Sequence, residues 1–374
     1  MNVRRILLNP LVGTAIVFAL LPYLMPGSQP FLGKPGFIDL ATTVLVFALF
    51  ASGFNLLFGH VGELSFVHAM FFAIGAYSTA LYSKGFTLNL FGATIVHGSA
   101  TNMLVALLIA IGIALVWSTL LARLIVPRSS GIYYSMITLA FAQIIYFITY
   151  KFGDFTGGED GVQGIVRPAL PGLPIDWLKD ANHYFIFTAI VVLIMVSILY
   201  WVIKSPFGSV LHAIRENKER ARFLGYDVNK YRVNAFVLSA FFPAVAGWLW
   251  AYYQTSINPD AGSIEYSGIV VMMSLLGGIQ TFFGPMLGAF VYWELQNNIA
   301  AFHGHGLPSF IDGKYWEAAI GLVFAVFVIV GPRGIMGGIE DIRHYGVANA
   351  FRRLFSRDAR VEGDLAEELP TVTH

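Results

Sequence analysis

The chain has 374 residues, of which 56% are hydrophobic and only 12% charged, with a formal net charge of +1 and a mean hydropathy of +0.67. Soluble domains carry about a quarter charged residues, so this composition excludes an ordinary soluble protein and predicts an all-α polytopic membrane protein. Cysteine is absent, which removes disulfide and thiol chemistry, and the apolar runs leave no stretch for a separate catalytic domain.

Apolar runs occupy residues 11–24, 38–57, 64–82, 103–122, 131–150, 183–203, 233–253, 267–283, 285–302 and 315–331, predicting a bundle of about ten transmembrane helices. The run at 64–82 and the joint around Gly277-Gly278 and Gly284-Pro285 also admit re-entrant readings, and 86–99 admits a partial dip into the membrane. Ten crossings leave both termini on one side. Alternation then assigns seventeen of the 23 Lys and Arg residues to that side and six to the other, so the positive-inside rule predicts cytoplasmic termini. The expected organisation is one transmembrane domain over 1–340 and a polar cytoplasmic tail over 341–374, in contact with a lipid bilayer and not with nucleic acid.

Within the first half, Asn55, Gly59, His60, Gly62, Glu63, Ser65 and His68 gather polar groups and glycines where membrane-embedded backbone should avoid them. An ionisable group at the centre of a span costs about 2.5–3.5 kcal/mol, so Glu63 and His68 are expected to face the bundle interior or a cavity. Two readings stay open: an interfacial turn with satisfied side chains, or a broken helix whose exposed backbone handles a polar solute. Asn55, Glu63, Ser65 and His68 are therefore candidates for a translocation path. Glu294 and Asn298, four residues apart on one helical face, join them, with interhelical hydrogen bonding as the alternative.

Between the runs at 183–203 and 233–253 lies a charged loop, 204–232, on the predicted cytoplasmic side. A helix over Ser209–Gly225 would align Val210, Ile214, Ala221 and Leu224 on one face and turn Arg215, Glu219 and Arg222 elsewhere. Such an amphipathic helix, held between two spans, is a docking element for a soluble partner. Gly225 would stop it. No G-x-x-x-x-G-K-[ST] phosphate loop occurs, so ATP would have to be handled by another chain. No metal-ligand spacing and no nucleophile with its base are found, and no cofactor is expected.

Five blocks in order resemble the LivM-type permease subunit of branched-chain amino acid ABC importers. They are Asn55-Leu56-Leu57 through Gly59, Gly62, Ser65 and His68-Ala69; Gly131-Ile132-Tyr133 with Thr138 to Gln143; Thr156-Gly157-Gly158 with Gly161; Ser205-Pro206-Phe207-Gly208 with Ala213 to Asn217 and Gly225-Tyr226; and Gly277-Gly278, Gly284-Pro285 and Gly331-Pro332-Arg333-Gly334. The resemblance implies a non-enzymatic, multi-pass protein of the bacterial inner membrane, driven by ATP hydrolysis in separate subunits. Its implied partners are a second, LivH-like permease, two LivG/LivF-like ATP-binding subunits and an extracytoplasmic solute-binding protein. Glu219-x-Ala221-x-x-x-Gly225 resembles the EAA-type coupling motif, which makes Arg215, Glu216, Glu219, Ala221 and Gly225 the expected coupling residues of a cytoplasmic coupling helix.

Three departures bear on cargo. Glu63 stands where the family commonly has an amide, Phe66-Val67 replace a Leu-Gly type pair, and Gln280 replaces a glycine. Branched-chain amino acids, other small polar or organic-acid solutes, urea or short amides, and aromatic acids all remain open. A rival of another class is an ion-coupled secondary transporter with Glu63, His68 and Glu294 as its relay.

Overall fold

The computed structural model describes residues 35–90, 93–98, 102–168 and 177–301, with a few positions between 318 and 327 and the short helical stretch 334–338. The predicted span at 11–24, most of that at 315–331 and the tail from 341 lie outside the described residues. Each apolar run from 38 to 302 overlaps a helix, although the first residues of 64–82 and the last of 267–283 are not helical. The helices are α1 (Pro35–His60), α2 (His68–Lys84), α3 (Met103–Ile125), α4 (Gly131–Lys151), α5 (Ala181–Lys204), α8 (Val228–Gln254), α9 (Ile264–Gly277) and α10 (Gly284–Ala301), with α6 (Pro206–Glu216) and α7 (Lys218–Phe223) in the charged loop. Among the described residues, α1, α3, α4, α5 and α8 are long and apolar enough to cross a membrane. The protein is thus a mostly helical, polytopic membrane protein.

Residues 86–90 and 93–97 depart from the all-α expectation: β1 (Phe86–Leu90) pairs antiparallel with β2 (Ala93–His97), in register from Phe86↔His97 to Leu90↔Ala93. Gly85, at φ +83°, ends α2 by donating its N–H to the Leu81 carbonyl and turns the chain into the hairpin. A second pair, β3 (Val162–Gln163) with β4 (Ser256–Ile257), ties the loop after α4 to the end of α8.

Side-chain caps set the helix starts. Asn102 accepts from Leu104 and Val105 N–H at 3.1 and 3.3 Å, Asp180 from Asn182 N–H at 2.8 Å, and Asn217 from Arg220 N–H at 2.9 Å. Burial then separates two classes of span. The apolar stretch of α1 is 94% buried and that of α8 72%, against 28%, 17% and 22% for α3, α4 and α5. The last three present Leu108, Val116, Ile132, Met136, Phe147, Ile190 and Ile194 outward, as lipid-facing helices should.

Close approach at small residues builds the centre. A Cβ on Gly75 would run into the Ala244 backbone carbonyl, one on Gly247 into the Phe72 carbonyl, and one on Gly53 into Phe242 and Pro243. In lipid, where burying apolar surface between helices gains little, such contact at small residues is what drives association. Pro243 cannot bond back to the Ser239 carbonyl, and Gly53 lets α1 lie directly over that opening. Phe47, Phe72, Trp250, Tyr266 and Trp293 fill the space beside this crossing, with Phe47 at 5.3 Å from Trp250 and 4.9 Å from Trp293.

Candidate functional site

Residues 61–67 form a non-helical break between α1 and α2, with Val61, Glu63, Ser65 and Val67 buried and Gly62 exposed. Backbone groups freed inside a membrane protein must be satisfied by neighbours, and here hydroxyls from two helices do so. Ser135 of α4 donates to the Leu64 carbonyl at 2.8 Å, Thr138 of α4 accepts from Phe66 N–H at 3.2 Å, and Ser267 of α9 donates to the Phe66 carbonyl at 2.7 Å. A second break, 278–283, separates α9 from α10 and has Gln280 at φ +79°. Within it Thr281 Oγ1 donates to the Gly278 carbonyl at 2.9 Å and accepts from Gly284 N–H at 3.0 Å. Asn55 joins the two regions, its amide donating to the Thr281 carbonyl at 3.2 Å.

Glu63 is buried at the entry to the first break, and its Oε1 holds two cations. Arg232, 5% exposed at the start of α8, donates from Nε at 2.5 Å, and Lys218 of α7 donates from Nζ at 3.0 Å. Arg232 also donates to the Ser129 carbonyl at 2.8 Å and to Asn229 Oδ1 at 3.4 Å. The carboxylate therefore joins the α1–α2 break to the charged loop. Three residues earlier on that loop, Arg215 of α6 donates to the carbonyls of Phe58 and Gly59. These are last-turn carbonyls of α1, unsatisfied within their own helix and at the negative end of its dipole, so a guanidinium there is doubly favoured.

The single helix expected over Ser209–Gly225 is two helices. Asn217, extended at φ −157° and ψ 108°, ends α6 and caps α7 with its side chain. The predicted apolar face survives in part: Val210, Ile214 and Ala221 are buried, whereas Leu224 is 69% exposed. The break at Asn217 rotates the last turn away from the α6 face. Arg215 correspondingly reaches inward, while Glu216 and Glu219 are exposed, the latter paired with Arg222 at 2.9 Å. Gly225, at φ +90°, lies two residues past the end of α7. Next to it Phe223 is 89% exposed, so Phe223 and Leu224 form an apolar step on a charged surface. His212 of α6 meets His60 with ring centroids 5.0 Å apart. Burial holds its pKa below the ordinary value, with the Arg215 charge adding to the effect.

Of the remaining path candidates, Ser65 and His68 are buried beside the first break. His68 Nε2 hydrogen-bonds Ser239 Oγ at 3.0 Å, and its ring meets Phe54 edge-on at 5.4 Å. The Tyr134 hydroxyl lies near Ser65, Glu63 and Arg232, yet neither it nor Ser65 Oγ makes a hydrogen bond of ordinary geometry. Glu294 sits at another level. Trp293, just before it, contacts Phe47, eight residues or about 12 Å along α1 from Asn55. Asn298 is on the same helix one turn further on; its side chain lies outside the description.

At the opposite end of the bundle Arg167 does for α8 what Arg215 does for α1. It donates to the carbonyls of Tyr252 and Tyr253 at 2.7 and 2.8 Å and to that of Leu178 at 3.3 Å, and lies 4.6 Å from the Tyr184 ring centroid. Lys218, Arg232, Arg167 and the Phe223-Leu224 step were not among the sequence candidates. An apolar pair inside a charged loop was the available signal for the step. No local pattern marks the other three, because their partners are distant in sequence.

A family profile described as branched-chain amino acid transport system, permease component, matches residues 36–331. The high-affinity branched-chain amino acid transport system permease protein LivM of Escherichia coli (strain K12) is 27% identical over 327 residues, covering 82% of this chain and 71% of that protein. Its counterpart in Salmonella typhimurium is 28% identical with the same coverage. The probable branched-chain amino acid transport permease protein LivM of Methanocaldococcus jannaschii is 25% identical over 68% of this chain and 80% of that protein. No solved structure matches at a significant level.

Proposed function

This chain belongs to the family of branched-chain amino acid transport permease components, and we propose how it works as the permease subunit of an ABC importer. The α6–α7 loop is the coupling element, cytoplasmic like both termini, in a domain of ten crossings over 1–340 followed by a tail over 341–374. Phe223 and Leu224 insert into a groove of an ATP-binding subunit, with Arg222 and Glu219 at the rim. Arg215, Ala221 and Gly225 shape the element from within. The single observation that carries this reading is that Phe223, at 89% exposure, projects from α7, whose own Lys218 is anchored to the α1–α2 break and whose preceding helix is anchored through Arg215 to the last turn of α1.

The working complex comprises a second, LivH-like permease, two LivG/LivF-like ATP-binding subunits and an extracytoplasmic solute-binding protein. Its cargo is a branched-chain amino acid or a related small polar or organic-acid solute. Asn55, Ser65 and His68 belong to the region that reshapes as the path opens, with Glu294 and Asn298 at a second level. Glu63, held by two cations, belongs with the coupling loop.

Reconstitution of the complex in proteoliposomes tests this. Uptake should require ATP on the side of the ATP-binding subunits together with the loaded binding protein. Uptake by this chain alone, driven by an ion gradient, would reject the reading. Phe223→Ser should weaken assembly with the ATP-binding subunits by about thirtyfold, the effect of a buried anchor worth about 2 kcal/mol. A ligand screen on the cognate binding protein identifies the cargo.

A further inference from the structure

The two cytoplasmic helices are attached to the membrane bundle at two different places, and the joint between them is a single extended residue. α6 is fastened through Arg215 to the last carbonyls of α1. α7 is fastened through Lys218 to Glu63 at the α1–α2 break. Asn217 separates them, with its N–H still bonded to the Ala213 carbonyl and its side chain capping α7. Rotation about its φ and ψ moves α7 without unwinding either helix.

The two fastenings of Glu63 differ in what they tolerate. Arg232 is 5% exposed and also holds Ser129 and Asn229, so it stays with the carboxylate. Lys218 has a side chain 35% exposed and can exchange Glu63 for water at little cost. We infer that Lys218–Glu63 is the detachable latch of a two-piece lever hinged at Asn217, made in one state of the transport cycle and broken in the other. Lys218 is then a positioning residue: it transmits the movement of α7 to the backbone of 61–67 through the carboxylate. The break can respond because three hydroxyls from neighbouring helices, and no helical ladder, hold it in place. Arg215 keeps α6 on α1 in both states and serves as the fulcrum.

This inference rests on the importer reading, and the test separates the two. In the reconstituted complex with its binding protein, Lys218→Met should assemble and retain basal ATP hydrolysis. Its binding-protein-stimulated hydrolysis and uptake should fall about fivefold, the low end of ordinary coupling between sites, and Lys218→Arg should restore them. Because the chain has no cysteine, Lys218→Cys adds a test by chemical rescue. Aminoethyl methanethiosulfonate returns an ammonium group and should restore stimulation; methyl methanethiosulfonate, which adds no charge, should not. The unsubstituted complex, treated in parallel, accounts for thiols of the partner subunits. Full stimulation in Lys218→Met, or equal rescue by both reagents, overturns the latch while leaving the importer reading intact. Absence of ATP-driven uptake by the unsubstituted complex overturns the importer reading itself.

Discussion

Replacing Glu63 with Gln removes one charge from a network whose members have unequal access to water. Lys218, a third exposed, turns outward at a cost of about 0–1 kcal/mol. Arg232, 5% exposed, cannot. An uncompensated buried charge costs about 3–5 kcal/mol. The surviving bonds to Ser129 and Asn229, and one to the new amide oxygen, hold the expected loss near the lower end, about 3 kcal/mol. Arg232→Met strands Glu63 less, because Lys218 stays at 3.0 Å, and should cost about 2 kcal/mol. The double variant Glu63→Gln/Arg232→Met leaves no buried charge, so it should be more stable than Glu63→Gln alone. The assay is the apparent melting midpoint of the detergent-purified complex, followed by intrinsic fluorescence for all four proteins in one detergent. Thermal unfolding here need not be reversible, so the order of the midpoints carries the result. Additive losses, with the double variant least stable, would mean that the two residues do not act as a pair and would refute the reasoning.

Gly75→Val should destabilise by about 1–3 kcal/mol, since even one carbon meets the Ala244 carbonyl. Gly112→Ala, where nothing lies within 4 Å, should leave the melting midpoint unchanged or raise it. His212 supplies a pH dependence. Its folded pKa lies below 6.5, first because of burial and then because of Arg215. The unfolded chain therefore takes up the proton first on acidification, and the stability His212 contributes is present above pH 6.5 and lost as pH falls towards the folded value. His60, Arg215, Glu216 and Lys204 surround it. The midpoint should fall between pH 7 and 5, and His212→Gln should reduce that fall; an equal fall in the variant would exclude His212 as its source.

Spans were legible in the sequence because apolar length is a local property: the run at 103–122 becomes Met103–Ile125, and that at 183–203 becomes Ala181–Lys204. The break after His60 was legible for the same reason, as glycines and a carboxylate have no place in a continuous span. Partners across the fold were not legible. The contacts that define Glu63 come from residues 155 and 169 positions away, and nothing near Glu63 distinguishes a carboxylate held by two cations from one lining a path. The split of the loop helix at Asn217 was missed because Asn is tolerated inside helices as well as favoured at their caps. That one residue decides whether Leu224 faces the bundle or the solvent.

The near-complete burial of α1 has a consequence for how the protein is made. α8, which covers it, begins at Val228, so at about 5–20 residues per second the ribosome needs roughly ten to thirty seconds after α1 to deliver its neighbour. Until then α1 lacks that cover, although Phe72 of α2, made directly after it, can already stack on Phe50 at 4.8 Å. Its hydroxyls are suited to the wait, since Thr42, Thr43 and Ser52 donate to their own helix, to the carbonyls of Ile38, Asp39 and Ala48 at 2.8, 3.0 and 2.7 Å. Asn55, by contrast, donates to the Thr281 carbonyl, which emerges later still. Its amide thus reports late assembly: a nascent chain truncated before residue 281 should carry α1 inserted but with Asn55 unbonded, and should be the form most readily recognised as incomplete.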